Sequence, residues 1–287
     1  MTTPTDPARY AGADLRLAAV DMDGTLLDDD KNFPPGMEEL LDLMDERGVT
    51  FAPASGRQVW TLIDMFPGRL GMTVIGENGG IVMRDGVEVS SSPVDAPTVR
   101  EVIRLVRDAT SGPDGIDGGL VMCGKQFAYV ERTDDRFVEG VMPYYHRTKR
   151  VEDQSAIIDA IEAGEIDDAI VKLAVYVIGP VEPLAQATLA NFADTHQYAI
   201  SGANWADLQI RGVDKGSAVR DLQRFLGIER SQTAVFGDAG NDLSMMSEGD
   251  LSFAMANASA DVVEAARFVA PSNNEAGVAQ VLRALLG

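Results

Sequence analysis

Asp21 and Asp23 stand two residues apart in the run DMDGTLL (21–27), directly before a glycine that lets the chain turn sharply. Two carboxylates at that spacing can share one hard cation, or divide the roles of nucleophile and acid. A phosphate ester approaching such a pair is repelled. A cation such as Mg²⁺ bound there reverses the local sign and orients a phosphoryl group for in-line attack. A second acidic run, GDAGND (237–242), brings Asp238 and Asp242, with Gly237 and Gly240 permitting close backbone approach to a ligand. Between the two lies ASGR (54–57), where Ser55 offers a hydroxyl and Gly56 a small-residue turn at the start of a helix. Helix starts present free N–H groups to anions. Lys215, flanked by Asp214 and Gly216, opens another helix. Asp28, Asp29 and Asp30 read as a solvated acidic turn.

These residues need elements to position them. LRLAAV (15–20) is a short, wholly apolar run of the kind found in the middle of a parallel sheet, and it stops at Asp21. A helix is expected from about 35 to 46, with Met37, Leu40, Leu41 and Met44 on one face and Gly48 as its stop. Strand VTFAPAS (49–55), a crossover helix at about 58–66 and strand TVIGEN (73–78) continue the alternation. That rhythm indicates a doubly wound, Rossmann-like α/β sheet, whose ligands bind at the carboxyl ends of the strands. Asp21, Ser55 and Asp238 all fall at such ends.

The rhythm changes after Asn78. Two β runs flank Asp85-Gly86, a strong hairpin signal, and another pair flanks Gly124-Lys125. Helices are expected near 97–109, 134–142, 154–163 and 181–195, with a strand at 169–179 and a β pair at 198–210. Hairpins mixed with helices indicate an inserted α+β domain. After Arg211 the alternating pattern returns through TAVFGD (233–238) and LSFAM (251–255) to a final helix. The expected division is a discontinuous core, 1–85 and 205–287, around an insert, 86–204. The first dozen residues are expected to form an untidy tail.

The 287 residues carry a net charge of -21, which repels nucleic acid and anionic lipid. A phosphate site in such a field must build its own positive potential from a metal, a lysine and backbone N–H groups. The single cysteine, Cys123, excludes an internal disulfide and reads as a small buried hydrophobe. The start of the chain has no basic patch followed by an apolar stretch, and the longest apolar runs are of strand length. A cytoplasmic protein, monomer or homodimer, with no nucleic-acid or membrane partner is the expectation.

In chain order, DMDGT, ASGR, Lys215 and GDAGND resemble the four motifs of the haloacid dehalogenase-like (HAD) superfamily, with the insert between the second and third. With ENGG (77–80) and the stretches EGDLSFAMANAS and EAGVAQVL, the chain is similar to the Cof-type phosphatases, which carry an α+β cap domain at that place. The resemblance covers about 15–85 and 205–287. It implies an Mg²⁺-dependent phosphatase acting on small phosphorylated metabolites, sugar phosphates among them, through an aspartyl-phosphate. Asp21 would be nucleophile and metal ligand. Asp23 would be the general acid/base, with its backbone carbonyl on the metal. Ser55 and Gly56 would bind the phosphoryl group, and Lys215 would neutralise it and hold Asp21. Asp238 would complete the metal site, Asn241 would contact phosphoryl group or substrate, and Asp242 would support Lys215 or a metal-bound water.

Two other functions compete. A phosphosugar mutase would return the phosphate to the substrate and needs a basic cap surface; Arg132, Arg136, Arg147, Lys149 and Arg150 are interleaved with acids and read as solvated. A non-catalytic binding module on the same fold would be expected to have lost Asp21, Asp23 or Asp238. In the insert, Lys125, Tyr129, His146, Lys172 and Trp205 are read as structural, and Arg57 is not assigned to catalysis.

Overall fold

The computed structural model describes residues 3–69 and 71–287. The chain divides into two compact units, Met1–Ser55, Gly68–Ser90 and Asp214–Gly287 in the first, Gly56–Pro67 and Ser91–Val213 in the second. Met1 and Thr2, at the start of the expected tail, lie outside the described residues.

Strands β1 (Leu17–Asp21), β2 (Thr50–Ala54), β3 (Thr73–Gly76), β4 (Ile81–Arg84) and β5 (Val87–Ser91) begin the first sheet. The second sheet follows in the chain, with β6 (Gly118–Gly124), β7 (Ala128–Val130), β8 (Thr148–Arg150), β9 (Ile170–Val177), β10 (His196–Gly202) and β11 (Trp205–Ile210). Strands β12 (Thr233–Gly237), β13 (Leu251–Met255) and β14 (Phe268–Ala270) then return to the first sheet.

The first sheet has the order β14-β13-β12-β1-β2-β3-β4-β5. All pairings from β14 to β3 are parallel, and β4 turns back antiparallel on β3. Chain direction across the sheet reverses between β1 and β12, which creates the crevice where ligands of doubly wound sheets bind. Both strands are buried along their whole length, as the apolar run at 15–20 requires. The helix Met37–Glu46 buries the four residues its periodicity marks, Met37, Leu40, Leu41 and Met44. At the β4–β5 turn, Asp85 and Gly86 both have positive φ (52° and 74°), the conformation that makes Asp-Gly a hairpin signal.

The second sheet runs β10-β11-β9-β6-β7-β8, antiparallel throughout except for the parallel β7–β8 pair. Leu120, Met122, Leu173 and Val175 line one face and pack with Val99, Val102 and Val106 of the helix Ala96–Thr110. This is an α+β layer, the class expected for the insert. No helix among the described residues is long and apolar enough to cross a membrane.

Several expectations need correction. The division at 204/205 falls inside the β10–β11 hairpin, and β11 pairs with both β10 and β9, so the second unit extends to Val213. At the other junction β5 still belongs to the first sheet, so that unit runs to Ser90 rather than 85. The helix expected as a crossover of the parallel sheet, observed at Val59–Asp64, belongs to the second unit. Its polar side chains bond there: Trp60 Nε1 donates to Lys125 O at 2.9 Å and Thr61 Oγ1 to Tyr144 O at 3.0 Å. The helix expected at 181–195 breaks at the buried Thr188 (φ -123°, ψ -80°) into Glu182–Ala187 and a 3-10 turn, Leu189–Phe192. The described part of the N-terminal segment, from Thr3 on, is not an untidy tail. Thr5 N donates to Val269 O at 2.8 Å, and the buried Tyr10 ring meets Phe253 edge-on at 5.0 Å.

Candidate active site

Three carboxylates converge at the carboxyl ends of β1 and β12. Asp21, Asp238 and Asp242 each present an oxygen, and these oxygens lie within 4.8 Å of one another. Asp21 is the last residue of β1, and Asp238 directly follows β12. The two meet because Gly24, at φ 82°, lets the turn after β1 close against Asp238. A Cβ at Gly24 would lie 2.4 Å from Asp238 Oδ2. Thr25, the last residue of DMDGT, donates from its Oγ1 to Asp238 Oδ1 at 3.1 Å.

Lys215 completes the cluster. It is the first residue of the helix Lys215–Leu226, whose start is fixed by a reciprocal cap: Asp214 Oδ1 accepts from Ser217 N, and the Ser217 hydroxyl serves the Asp214 backbone. The ammonium group, fully buried, donates to Asp21 Oδ1 at 2.5 Å and to Asp242 Oδ1 at 2.7 Å. Asp242 is itself held, its Oδ2 accepting from the backbone N–H groups of Asp238 (3.0 Å) and Ala239 (3.1 Å). That closeness needs Gly237, since a Cβ there would lie 2.4 Å from Asp242 Cβ.

The electrostatics follow from burial. Withdrawal from water, then the charge of Asp242, pushes the Asp21 carboxyl up to about 8, against the opposing pull of Lys215. Burial and Asp242 raise Asp238 as well. Burial alone would lower Lys215, but Asp21 and Asp242 outweigh it and hold the ammonium charged well above the usual lysine range. Three carboxylates therefore face one ammonium. Clustered oxygen donors in excess of their counter-charge suit a hard divalent cation.

The other expected residues are not members of this cluster. Asp23 does not enter the carboxylate group. Its side chain, 35% exposed, is paired with Lys31 Nζ at 2.9 Å. Ser55 is buried; its N–H donates to Ile75 O, and its carbonyl accepts from Asn78 N, both at 2.9 Å. Asn241 is exposed, and its Nδ2 donates to Asn78 Oδ1 at 3.4 Å. Gly56 begins the second unit, where its carbonyl accepts a 2.7 Å bond from Lys172. In that unit Tyr129 is buried and donates to Asp168 at 2.8 Å, and His146 Nδ1 meets Asp64 Oδ2 at 2.9 Å. Asp28 and Asp29, read as solvated, instead fasten their loop: Asp28 accepts from Asn32, and Asp29 from Asn273 and Asn274.

Sequence reasoning missed three participants. Thr25 and Asn78 sit within runs that it singled out, DMDGT and ENGG, and position alone marked them. Lys31 had no signal, because it reaches Asp23 through a left-handed backbone conformation (φ 66°) in a loop that reads as polar.

The profile of the haloacid dehalogenase-like hydrolases matches residues 18–282. The chain belongs to that superfamily. Among relatives of this HAD hydrolase, the 5-amino-6-(5-phospho-D-ribitylamino)uracil phosphatase YbjI of Escherichia coli is 32% identical over 280 residues, 95% of this chain and 96% of the relative. The HMP-PP phosphatase of Yersinia enterocolitica is 24% identical over 252 residues, covering 85% and 84%. Among solved structures, a haloacid dehalogenase-like hydrolase from Bacteroides thetaiotaomicron superposes with a TM-score of 0.79 at 20% identity, over 94% of this chain and 98% of that one. That last likeness concerns the fold. Together the comparisons make this HAD hydrolase a phosphatase of the Cof type, a phosphoric monoester hydrolase.

Proposed function

We propose that this enzyme hydrolyses small phosphate monoesters, sugar phosphates or similar metabolites, with Mg²⁺, through an aspartyl-phosphate on Asp21. The observation that carries the reading is the cluster of the buried Asp21 and Asp242 and the half-buried Asp238, with Lys215, at the switch point of the parallel sheet. Asp21 and Asp238, with the backbone carbonyl of Asp23, would hold the metal. Its oxygen donor set fits a hard cation, which supplies charge neutralisation of the phosphoryl group and the carboxylates when bound.

Unaided phosphate monoester hydrolysis is among the slowest biological reactions, and enzymes accelerate it by up to ~10²¹-fold. The loose phosphoryl transition state leaves positioning and charge stabilisation as the main tasks. An Asp21 oxygen attacks phosphorus while the ester oxygen departs and takes a proton from Asp23. Asp23 then accepts a proton from water as the water oxygen attacks the same phosphorus, and the Asp21 carboxylate is regenerated. Lys215 holds the Asp21 oxygen in line and neutralises phosphoryl charge. Ser55, Gly56 and Asn241 bind the phosphoryl oxygens, and Asp242 keeps Lys215 in place.

These residues handle the phosphoryl group that all monoesters share, so substrate choice is assigned to the second unit. The ribityl phosphate named for the Escherichia coli relative supports a phosphorylated polyol or sugar as the substrate class. A mutase would need free arginines in that unit for a second phosphate. Of the five cations named for that role, Arg132 and Arg136 are ion-paired to Asp117, Arg132 also to Asp134, and Arg147 and Lys149 lie over the rings of Trp60 and Phe127.

The test is phosphate release from a panel of sugar phosphates, nucleotides and pyridoxal phosphate, with Mg²⁺ and after chelation. Turnover should require the metal and vanish in Asp21→Asn while the fold persists. An Asp21→Asn enzyme with full activity would end the covalent mechanism.

A further inference from the structure

The run ENGG (77–80) has no part in the mechanism above, yet its backbone is strained. Glu77 and Asn78 both adopt left-handed conformations, φ 52° and 51°, within the Glu77–Gly79 turn. For non-glycine residues this conformation is strained, less so for Asn, whose short polar side chain tolerates it. Strain of this kind persists only where the surroundings over-determine it. The attachments of the turn show what does so. Asn78 N donates to Ser55 O at 2.9 Å. Gly79, at φ 95°, lies so close to the next segment that a Cβ would sit 2.2 Å from Asp214 O and 3.1 Å from Lys215 N. Asn78 Oδ1 accepts from Asn241 Nδ2 at 3.4 Å. One turn thus touches three loops, and each carries a residue of the reaction: Ser55, Lys215 and Asn241.

We propose that the Glu77–Gly79 turn is a positioning element common to these three loops, and that Asn78 is its positioning residue, orienting the Asn241 amide. The inference rests on the phosphatase reading for the role of Asn241. The chemistry is simple. Asn241 is exposed, and an unrestrained amide there would sample several rotamers. Its nitrogen carries two N–H groups; with one directed at Asn78, the rotamer is chosen and the second remains for a phosphoryl oxygen. At 3.4 Å the bond is long and contributes little stability. Its effect is orientation, worth most when reacting groups must be aligned. Through its backbone, the same residue fixes the carbonyl of Ser55.

Asn78→Gly tests the side chain, because glycine takes the left-handed conformation without steric strain. Three readouts are needed: kinetics of metal-loaded enzyme on the best ester of the panel, the melting temperature, and the NMR signals of the Asn241 side-chain amide, assigned by their loss in Asn241→Ala. Asn78→Gly should melt within about 2 °C of wild type, lower kcat roughly tenfold with KM changed less than about twofold, and shift the Asn241 amide signals. In the Asn241→Ala background the same change should alter kcat less than about twofold, since residues acting through one another are not additive. An active wild type with an equally active Asn78→Gly, or equal fold losses in both backgrounds, overturns this inference alone. A wild type that releases no phosphate overturns the phosphatase reading instead, and an unmoved amide signal then overturns the positioning of Asn241 by Asn78.

Discussion

Lys215 in the first unit and Lys172 in the second are both buried, and they are held by different kinds of partner. Lys215 is bonded to two carboxylates, at 2.5 and 2.7 Å. Lys172 donates to the neutral carbonyl of Gly56 at 2.7 Å, with the nearest Asp207 oxygen 3.9 Å away. Burial alone therefore does not distinguish the lysine proposed for catalysis from the other. Around Lys215 there are more carboxyl groups than its one ammonium can pair with, which under the proposed function would serve chemistry on an anion once a metal joins them. The surroundings of Lys172 satisfy an ammonium inside the second unit.

The largest effect should come from Lys215→Met. It leaves the buried carboxylates without their ammonium, a loss of about 3–5 kcal/mol for a broken buried pair. Turnover should fall by about 10³-fold, as when a group stabilising transition-state charge is removed. Chemical denaturation and phosphate release measure the two. A variant as stable as wild type would mean that the carboxylates share protons without the lysine, and the contrast between the two lysines would collapse.

Next comes a pH effect confined to the first unit. In the metal-free protein the Asp21 carboxyl is raised to about 8 by burial and Asp242, whereas in the unfolded chain it titrates near 3.9. Between those values the folded state holds a proton that the unfolded state has lost, so stability falls as pH rises. The contribution is fully present below about 4 and gone above about 8. After chelation, the melting temperature should drop by roughly 5 °C from pH 5 to pH 8. Asp21→Asn should remove most of that slope, leaving the part due to Asp238, which is raised in the same direction. Added Mg²⁺ should stabilise more at pH 8 than at pH 5, because binding must displace protons at the lower pH. A flat profile for the chelated protein would show that the carboxylates stay ionised without metal.

The same contrast explains what could be read from the sequence. DMDGTLL was legible because an apolar run ends at Asp21 and the strand ends with it. The fold class followed from the alternation of elements, which local periodicity records. Lys215 was legible only by its order among the motifs; alone, a lysine at a helix start reads as exposed. Its contacts span 194 and 27 positions of the chain, and nothing local encodes them. The unit to which the helix Val59–Asp64 belongs was hidden for a similar reason. A helical period specifies an apolar face, whereas Trp60 and Thr61 are tied to their unit by individual polar contacts. Strand β8 was missed because TKR (148–150) is three polar residues with no apolar alternation.

The smallest of the three effects should be that of Lys172→Met. Methionine fills much of the same volume, and what it leaves behind is the Gly56 carbonyl without its charged donor and Asp207 without its nearby ammonium. Losing a hydrogen bond from a charged donor to a buried neutral acceptor costs about 1–3 kcal/mol. Because the chain has two units, a single melting temperature would blend them. Hydrogen exchange of the β9 amides reads the second unit alone: protection there should fall by about 10- to 100-fold, while that of β1 and β12 stays near wild type. The loss of turnover should be well below that of Lys215→Met. If Lys172→Met instead lowers kcat as far as Lys215→Met does, with β9 protection intact, then Lys172 acts in the reaction, and the partner of a buried lysine is no guide to its role.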